Sequence, residues 1–434
     1  MRRPAPTLAR WLTALILCGM LPAVLTSCYA GSVWKGSVKI GLVVPFYGYD
    51  SGSANAAYYG TKLALQERNE NGGIGGRWVE LVALDDQNSH DVAARRAREI
   101  ALDPGVLGAI GHLSSDSALG AAPVYREVGL GAISLGATAT DLAETYPGML
   151  RMASDDAAVA TRTLQRIAGK LHVQRIAVLH DRSPGHTSAA RAFLAEANRR
   201  ELAIAAVAEI DKGQRDFTPF LEALASNPPQ LLVVAGDQFQ AAALATQLKK
   251  GLAGGTSASK PFAATRLLIA GCASTPDFAT IGGEAAKGVL HVDAIGHQDH
   301  TTLNVEGASV LENGWPDQLG ARYRSLAGVS PTAYAAAAYD ATVYILDAMD
   351  RAGANGRSTG PNGRIDRASV SREMRRSAGG SESIELDPGS SLLRDTARGV
   401  ERGRGIEFGR AGERQRATPR LYEIDESGYP GRMW

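Results

Sequence analysis

The strongest constraint on this chain is a regular alternation of short apolar runs with longer amphipathic segments. "SVKIGLVVPF" (37–46) is apolar on both faces, as a strand inside a covered parallel sheet must be. Ala56, Tyr59 and Leu63 follow at helical spacing. "VELVALDD" (79–86) reads as a second strand, and 91–102 as a helix stopped by Asp103-Pro104-Gly105. Residues 106–111 form the next strand, followed by a helix to Val128 and "GAISLGATAT" (131–140). The rhythm then repeats: a helix over 156–170, strand "RIAVLHD", helix "TSAARAFLAEANRR", strand "LAIAAVAEI", helix "DFTPFLEALA", strand "QLLVVAG", helix "FQAAALATQLKK", strand "RLLIAG". Such alternation implies right-handed βαβ crossovers and parallel sheets covered on both faces. One small sheet cannot take so many units, and 434 residues suffice for two cores. The expected fold class is α/β with two doubly wound parallel-sheet lobes.

The N-terminus stands outside this pattern. Arg2, Arg3 and Arg10 precede an apolar run from Trp11 to Leu25, shorter than the ~20 residues a spanning helix needs. The run ends in Leu25-Thr26-Ser27-Cys28, which resembles a bacterial lipobox. That resemblance implies a signal peptide over 1–27, lipidation of Cys28, a tether over 28–37 and an extracytoplasmic, membrane-anchored protein. A plain signal peptide or an uncleaved anchor is the alternative. Cys18 lies in the signal, so Cys272 is left alone and no internal disulfide can form. A net charge of +1 gives no reason to expect a nucleic-acid partner. Residues 251–264 read as a loop, and the basic stretch around Arg394, Arg398, Arg402 and Arg404 as a solvated loop or an anion site.

An enzymatic reading has to start from "GAIGHLSSDSALG" (108–120), which places His112, Ser114, Ser115 and Asp116 together. It is no G-x-S-x-G nucleophile elbow, and triad partners come from distant segments. His112 then reads as a structural residue at a strand end and Asp116 as a first-turn helix acid. Asp85 and Asp86 point opposite ways from a strand end, which favours structural or rim roles over an acid/base pair. His291, His297, Asp299 and His300 match no metal signature and read as a polar linker. "NGGIGGRW" (71–78) precedes a strand and is not a dinucleotide fingerprint. No cofactor and no catalytic residue is expected.

A binding reading starts from the carboxyl ends of the strands, where open α/β sheets hold ligands. Leu113, Ser114 and Ser115 form one strand-to-helix corner, whose free N–H groups suit an anion. Gly136, Ala137 and Thr138 form a second, with Gly136 allowing close backbone approach and Thr138 offering a hydroxyl. Helix capping is the competing role for both hydroxyls. Asp237, after "LLVVAG", is either a counter-ion for a cationic group or the cap of the helix that follows.

The collinear order of several motifs is similar to type I periplasmic solute-binding proteins of the leucine/isoleucine/valine-binding class. They are "NGGIGG" before a strand ending in Asp85-Asp86, "IGHLSS", "SLGATAT", "RIAVLHD", "RDFTPFLEAL", "QLLVVAG", "IGGEAAKGVL", "SPTAYAAAAYDATVYIL", "GIEF" and "RLYEID". The resemblance runs from Val38 to about Gly428. It implies a Venus-flytrap of two lobes, 38–153 with about 298–376 and 154–297 with about 377–434. Three crossings would join them, near Arg151–Asp156, near His291–Gln298 and between 376 and 410. It implies that Ser115 and Thr138 grip a solute's α-carboxylate and that Tyr334 lines the apolar side, unless Tyr334 is a core aromatic. The chain departs from the family at three places. Ser53 stands where an aromatic often covers the ligand, Gly185 where the second lobe has a tyrosine, and Gly271–Cys272 where the ammonium-binding acid falls. The implied solute is an amino acid of branched-chain type or a related amide, delivered to an ABC permease. A sensing subunit for a membrane receptor is the alternative, with a secreted hydrolase behind it.

Overall fold

The computed structural model describes residues 36–250, 261–271, 275–295, 317–354, 365–379, 419–424 and 430–433. The signal and lipobox with Cys28, and Cys272, His297, Asp299 and His300, lie outside the described residues, as do the basic arginines and "GIEF".

The first lobe starts with β1 (Ser37–Val44), α1 (Ser51–Glu70), β2 (Trp78–Asp85), α2 (His90–Leu102), β3 (Val106–Gly111), α3 (Ser115–Glu127), β4 (Gly131–Ser134), α4 (Asp141–Thr145) and β5 (Met149–Arg151). The strands make an all-parallel sheet in the order β2-β1-β3-β4-β5. Every residue of β3 is buried, which explains its unbroken run of small and apolar side chains.

The second lobe follows the same plan. It holds α5 (Asp156–Leu171), β6 (Arg175–His180), α6 (Pro184–Arg199), β7 (Ala203–Glu209), α7 (Thr218–Leu224), β8 (Leu231–Ala235), α8 (Gln238–Lys250), β9 (Arg266–Ala270), α9 (Thr275–Gly282) and β10 (Leu290–Asp293). The chain then adds α10 (Asp317–Ala327), α11 (Ala333–Ala354) and α12 (Arg367–Gly379) to the first lobe. It closes with β11 (Arg420–Ile424) and β12 (Pro430–Met433) in the second sheet. That sheet runs β12-β11-β10-β9-β8-β6-β7, with β11 and β12 antiparallel. Strand order therefore reverses between β1 and β3 in one lobe and between β6 and β8 in the other. These two switch points are where this architecture leaves room for a ligand.

Each sheet is covered on both faces. In the first lobe α11 and α12 pack Ile345, Met349 and Met374 against Ile40, Leu42 and Ile110. On the opposite face Ala97, Ile100 and Tyr125 cover Val43, Val106 and Ala109. Helices α1 and α11 pack closely because Gly60 has no side chain: a Cβ there would lie 2.2 Å from the Ala335 carbonyl oxygen. Arg68 of α1 adds ion pairs to Asp347 (2.6 Å) and Asp350 of α11.

Two crossings lie side by side. The chain leaves β5 through Met152–Asp155, and α5 packs Val159, Leu164 and Ile167 into a second-lobe core with Val178 and Phe193. It returns after β10 through Ala294 and Ile295, which pack in the first-lobe core. The Ser154 N–H donates to the Ala294 carbonyl at 2.9 Å, tying the two together. The chain passes between lobes again somewhere from 380 to 418, outside the described residues. His291 is corrected here: it belongs to β10, not to a linker, because the apolar run around it continues the strand. It is 6% exposed, and burial pushes its imidazole well below its usual range, toward the neutral form. No described helix is long and apolar enough to cross a membrane.

The α1–α11 contact yields a stability prediction. Gly60→Ala, which must push the Ala335 backbone away, is expected to cost about 1–3 kcal/mol, the range for overpacking. Urea unfolding measures it, and a neutral result would mean the two helices are not held this closely.

Candidate ligand-binding cleft

The first-lobe switch point is built from two loops laced together. After β3, His112 takes a left-handed conformation (φ 55°), which turns the chain sharply. Its ring is buried, with Nδ1 3.1 Å from Asp86 and Nε2 3.1 Å from the Tyr125 hydroxyl. His112 and Asp86 thus serve the scaffold. Asp85 accepts the N–H groups of Phe46 and Gln87 (both 3.0 Å) and shapes the neighbouring loop.

Ser114 is the cap of α3, its Oγ accepting the Ser117 N–H at 3.2 Å. Ser115 is the first residue inside the helix and has a different task. Its Oγ accepts the N–H groups of Thr138 and Ala139, each at 3.0 Å, and lies 3.5 Å from the Thr138 Oγ1. One serine oxygen therefore joins both corners. Thr138 does not start a helix, contrary to the sequence expectation; Thr140 is the cap position of α4, and 137–139 belong to neither helix nor strand. Gly136 makes the approach feasible, since a Cβ there would lie 2.3 Å from the Leu113 carbonyl oxygen. Leu113 and Ala137 turn their side chains into the cores. Arg151, at the end of β5, is almost fully buried and donates to the Ala139 carbonyl at 2.8 Å.

Sequence reasoning missed the residue closest in chemistry to a ligand contact. Asp156 opens α5 just past the first crossing, and its N–H donates to the Thr138 carbonyl at 2.8 Å. The residue is 3% exposed, and the carboxyl Oδ2 has no hydrogen-bond partner. Burial pushes its pKa up, and the facing Ser188 and Thr138 hydroxyls pull partly against this. In the sequence it reads as one of two helix-start acids; Asp155 takes the capping role, accepting the Ala158 N–H at 2.7 Å. A doubled acid at a helix start, one more than a cap needs, was the available signal.

The second lobe closes onto these corners. The Gly185 N–H donates to Asp116 at 2.7 Å, and the Thr140 N–H to Ser188 at 3.2 Å. Asp116 is therefore an inter-lobe acceptor as well as a first-turn acid. A Cβ on Gly185 would lie 2.7 Å from the Ser115 Cβ, so only glycine lets α6 come this near. At the rim, Gln238 donates to Asp50 at 3.2 Å, and the Tyr49 and Phe239 rings meet edge-on at 4.6 Å. Asp237 accepts the Gln240 N–H at 2.8 Å and lies 3.5 Å from Arg215, the geometry of a helix cap with an exposed ion pair. Ser53 is buried in the first turn of α1. Tyr334 begins α11 and packs against the first-lobe core; burial pushes its hydroxyl pKa up, with Asp293 and Asp50 adding to the rise. Among the described residues, no group of three or more His, Cys, Asp or Glu side chains is arranged to hold a metal ion.

A family model described as periplasmic binding protein matches residues 37–391. An amino acid binding protein of Pseudomonas aeruginosa is 25% identical over 214 residues, or 49% of this chain and 57% of that one. The match thus spans little more than half of that relative. A Leu/Ile/Val-binding protein homolog 1 of Brucella suis is 26% identical over 331 residues, 75% of this chain and 81% of that one. The crystal structure of a leucine binding protein from Thermotoga maritima superposes with a TM-score of 0.67 at 20% identity, covering 89% of this chain and 95% of that one. That likeness is one of fold: two parallel-stranded α/β lobes of the type I periplasmic binding protein class.

The bridging role of Ser115 separates it from a capping serine. Ser115→Ala leaves the Thr138 and Ala139 N–H groups without their acceptor. It is expected to cost about 1–3 kcal/mol, the penalty for unsatisfied buried donors. Ser114→Ala is expected to cost about 1 kcal/mol, as a lost cap does. Denaturant unfolding of the two variants side by side checks the order.

Proposed function

The chain belongs to the periplasmic binding protein family, and from that premise we propose that it captures a small α-amino acid between its lobes. Its place among solute-binding proteins makes it a binder and not an enzyme. The observation that carries the proposal is the pairing of the Ser115 and Thr138 hydroxyls, 3.5 Å apart, with the unpartnered, buried oxygen of Asp156 beside them. The solute carboxylate takes the first corner, where Ser115 still has a proton to donate and the start of α3 favours negative charge. Its ammonium takes the Asp156 carboxylate, supplying the acid absent near Gly271–Cys272. Gly136 and Ala137 bring the backbone close, and Leu113 and Ser114 set the turn. Ser53 and Tyr334 border the site.

Closure adds the second-lobe contacts, so solute shifts the population toward the closed form in proportion to those extra contacts. The lobes divide as 38–153 with about 298–376 and 154–297 with about 377–434. The closed form is read by an ABC permease, and lipidated Cys28 holds the protein at the membrane. The family supports an extracytoplasmic location; the Leu25-Thr26-Ser27-Cys28 motif supports the anchor.

Calorimetry on the purified chain tests the two contacts separately. L-leucine or L-glutamine should bind at one site per chain. Analogues lacking the carboxylate or the ammonium should lose tenfold or more. Binding of a neutral sugar in place of every amino acid would sink the assignment.

The pH dependence follows from Asp156. Its folded pKa is raised, so folding takes up a proton, and ligand-free stability falls as pH rises from the ordinary carboxylate range through the raised value. Asp156→Asn should remove that decline while weakening amino-acid binding about tenfold or more. In the wild type, affinity should rise over the same window as the carboxyl ionises. Thermal unfolding and titration across pH read both signs. Separately, Cys28→Ser is expected to move the protein out of the membrane fraction, and retention there would argue for an uncleaved anchor.

A further inference from the structure

The carboxyl edge of the second sheet carries one group that the reading above does not use. Three strand ends converge on the His186 ring, which lies at the start of α6. From β6 comes Asp181, whose Oδ1 lies 2.7 Å from the ring Nδ1. From β9 comes Gly271: a Cβ there would lie 2.9 Å from the ring Cδ2. From β8 comes Asp237, whose charge acts on the ring together with that of Asp116 across the cleft. The ring thus covers the second lobe's switch point, between β6 and β8, where this architecture places a ligand. It also fills the space that a side chain at 271 would need, so an acid there and this imidazole exclude one another.

The ring is oriented, not loose. Asp181 is 6% exposed and is itself held by the Ser183 N–H at 3.1 Å. Burial opposes the Asp181 charge, but the His186 contact and the Ser183 hydrogen bonds outweigh it and bring its pKa down to about 2. Nδ1 therefore carries the proton that Asp181 accepts, which leaves Nε2 as the working atom. Nε2 has no hydrogen-bond partner among the described residues. Burial works against the cation, yet Asp181 first, then Asp116 and Asp237, raise the His186 pKa above its usual value. In the doubly protonated form, which these three carboxylates favour, the ring presents an Nε2–H donor.

We propose that His186, oriented by Asp181, is a specificity-determining residue that donates from Nε2 to an oxygen on the solute's side chain. The favoured class is an α-amino acid with a side-chain carboxylate or carboxamide, in place of a bare branched hydrocarbon. This rests on the amino-acid reading above and sharpens it. A hydrocarbon side chain would close the cleft over Nε2 and leave a buried donor unpaired, a loss on the order of tenfold in affinity.

The test is calorimetry on the full chain with L-glutamate, L-glutamine, L-aspartate, L-asparagine and L-leucine. At least one of the four polar amino acids is expected to bind about tenfold or more tighter than leucine. His186→Phe should erase that preference while leucine binding is kept. His186→Gln, which retains a donor, should preserve part of it. A carboxylate solute should lose its advantage as pH rises through the His186 pKa, whereas a carboxamide should lose less, which separates the two sources of the oxygen. The groups facing the ring in that titration are Asp181, Asp116, Asp237 and His180, so Asp181→Asn should move the transition to lower pH. Leucine binding as tightly as all four polar amino acids in the wild type would overturn the proposal. So would an unchanged preference in His186→Phe. If leucine binds as tightly as the four polar amino acids, and Ser115→Ala and Asp156→Asn abolish that binding, the inference on His186 alone has failed and the amino-acid reading stands. If no amino acid binds at all, the amino-acid reading falls with it.

Discussion

The cleft depends on one oxygen atom. Ser115 Oγ accepts two successive backbone N–H groups from the neighbouring loop and so fixes the corner after β4 against the corner after β3. Everything near it is arranged around that contact. His112 turns the chain with a left-handed backbone and is pinned between Asp86 and Tyr125. Gly136 gives up its side chain so that the loops can touch, and Arg151 holds the far carbonyl of the same loop. With both lone pairs occupied, the serine proton is left to the Thr138 Oγ1, a long 3.5 Å away, or to a solute. On the proposed function, scaffold contact and ligand donor would be the two ends of one hydroxyl, so the two roles are compatible.

Charge in the cleft is distributed by commitment. Asp237 is spent on a helix cap and Arg215, Asp116 on a backbone N–H from the other lobe, and Asp50 on Asn88 and Gln238. Asp181 is spent on His186. Asp156 meets the Ser188 and Thr138 hydroxyls yet keeps one buried oxygen unpaired. A buried carboxyl in that state is held at a cost in stability, which places it with functional groups more readily than with structural ones.

The fold was legible because it is written in periodicity. β3 and β8 are buried along their whole length and show as unbroken apolar runs. Ser115 and Thr138 were legible as hydroxyls at strand ends, although their bridging contact was not, because it joins residues 23 apart through backbone groups that carry no sequence signal. Asp156 was hidden behind Asp155, since adjacent acids at a helix start look alike until one of them takes the cap. His186 was hidden for a different reason: its meaning depends on Gly271, a residue two strands away whose contribution is empty space. His291 was misplaced because a histidine in a short polar run looks like a linker, while its neighbours Leu290 and Val292 make it a strand residue.

The pairing of Ser154 with Ala294 also sets the mechanics of the molecule. Two chain segments fastened edge to edge behave as a leaf hinge. Such a pair would resist twisting and sideways slip and yield along one direction. Each lobe has its own core, so on the proposed closure neither would need to change shape. A membrane partner docked across both lobes would therefore sense a single coordinate, the distance between two rigid platforms.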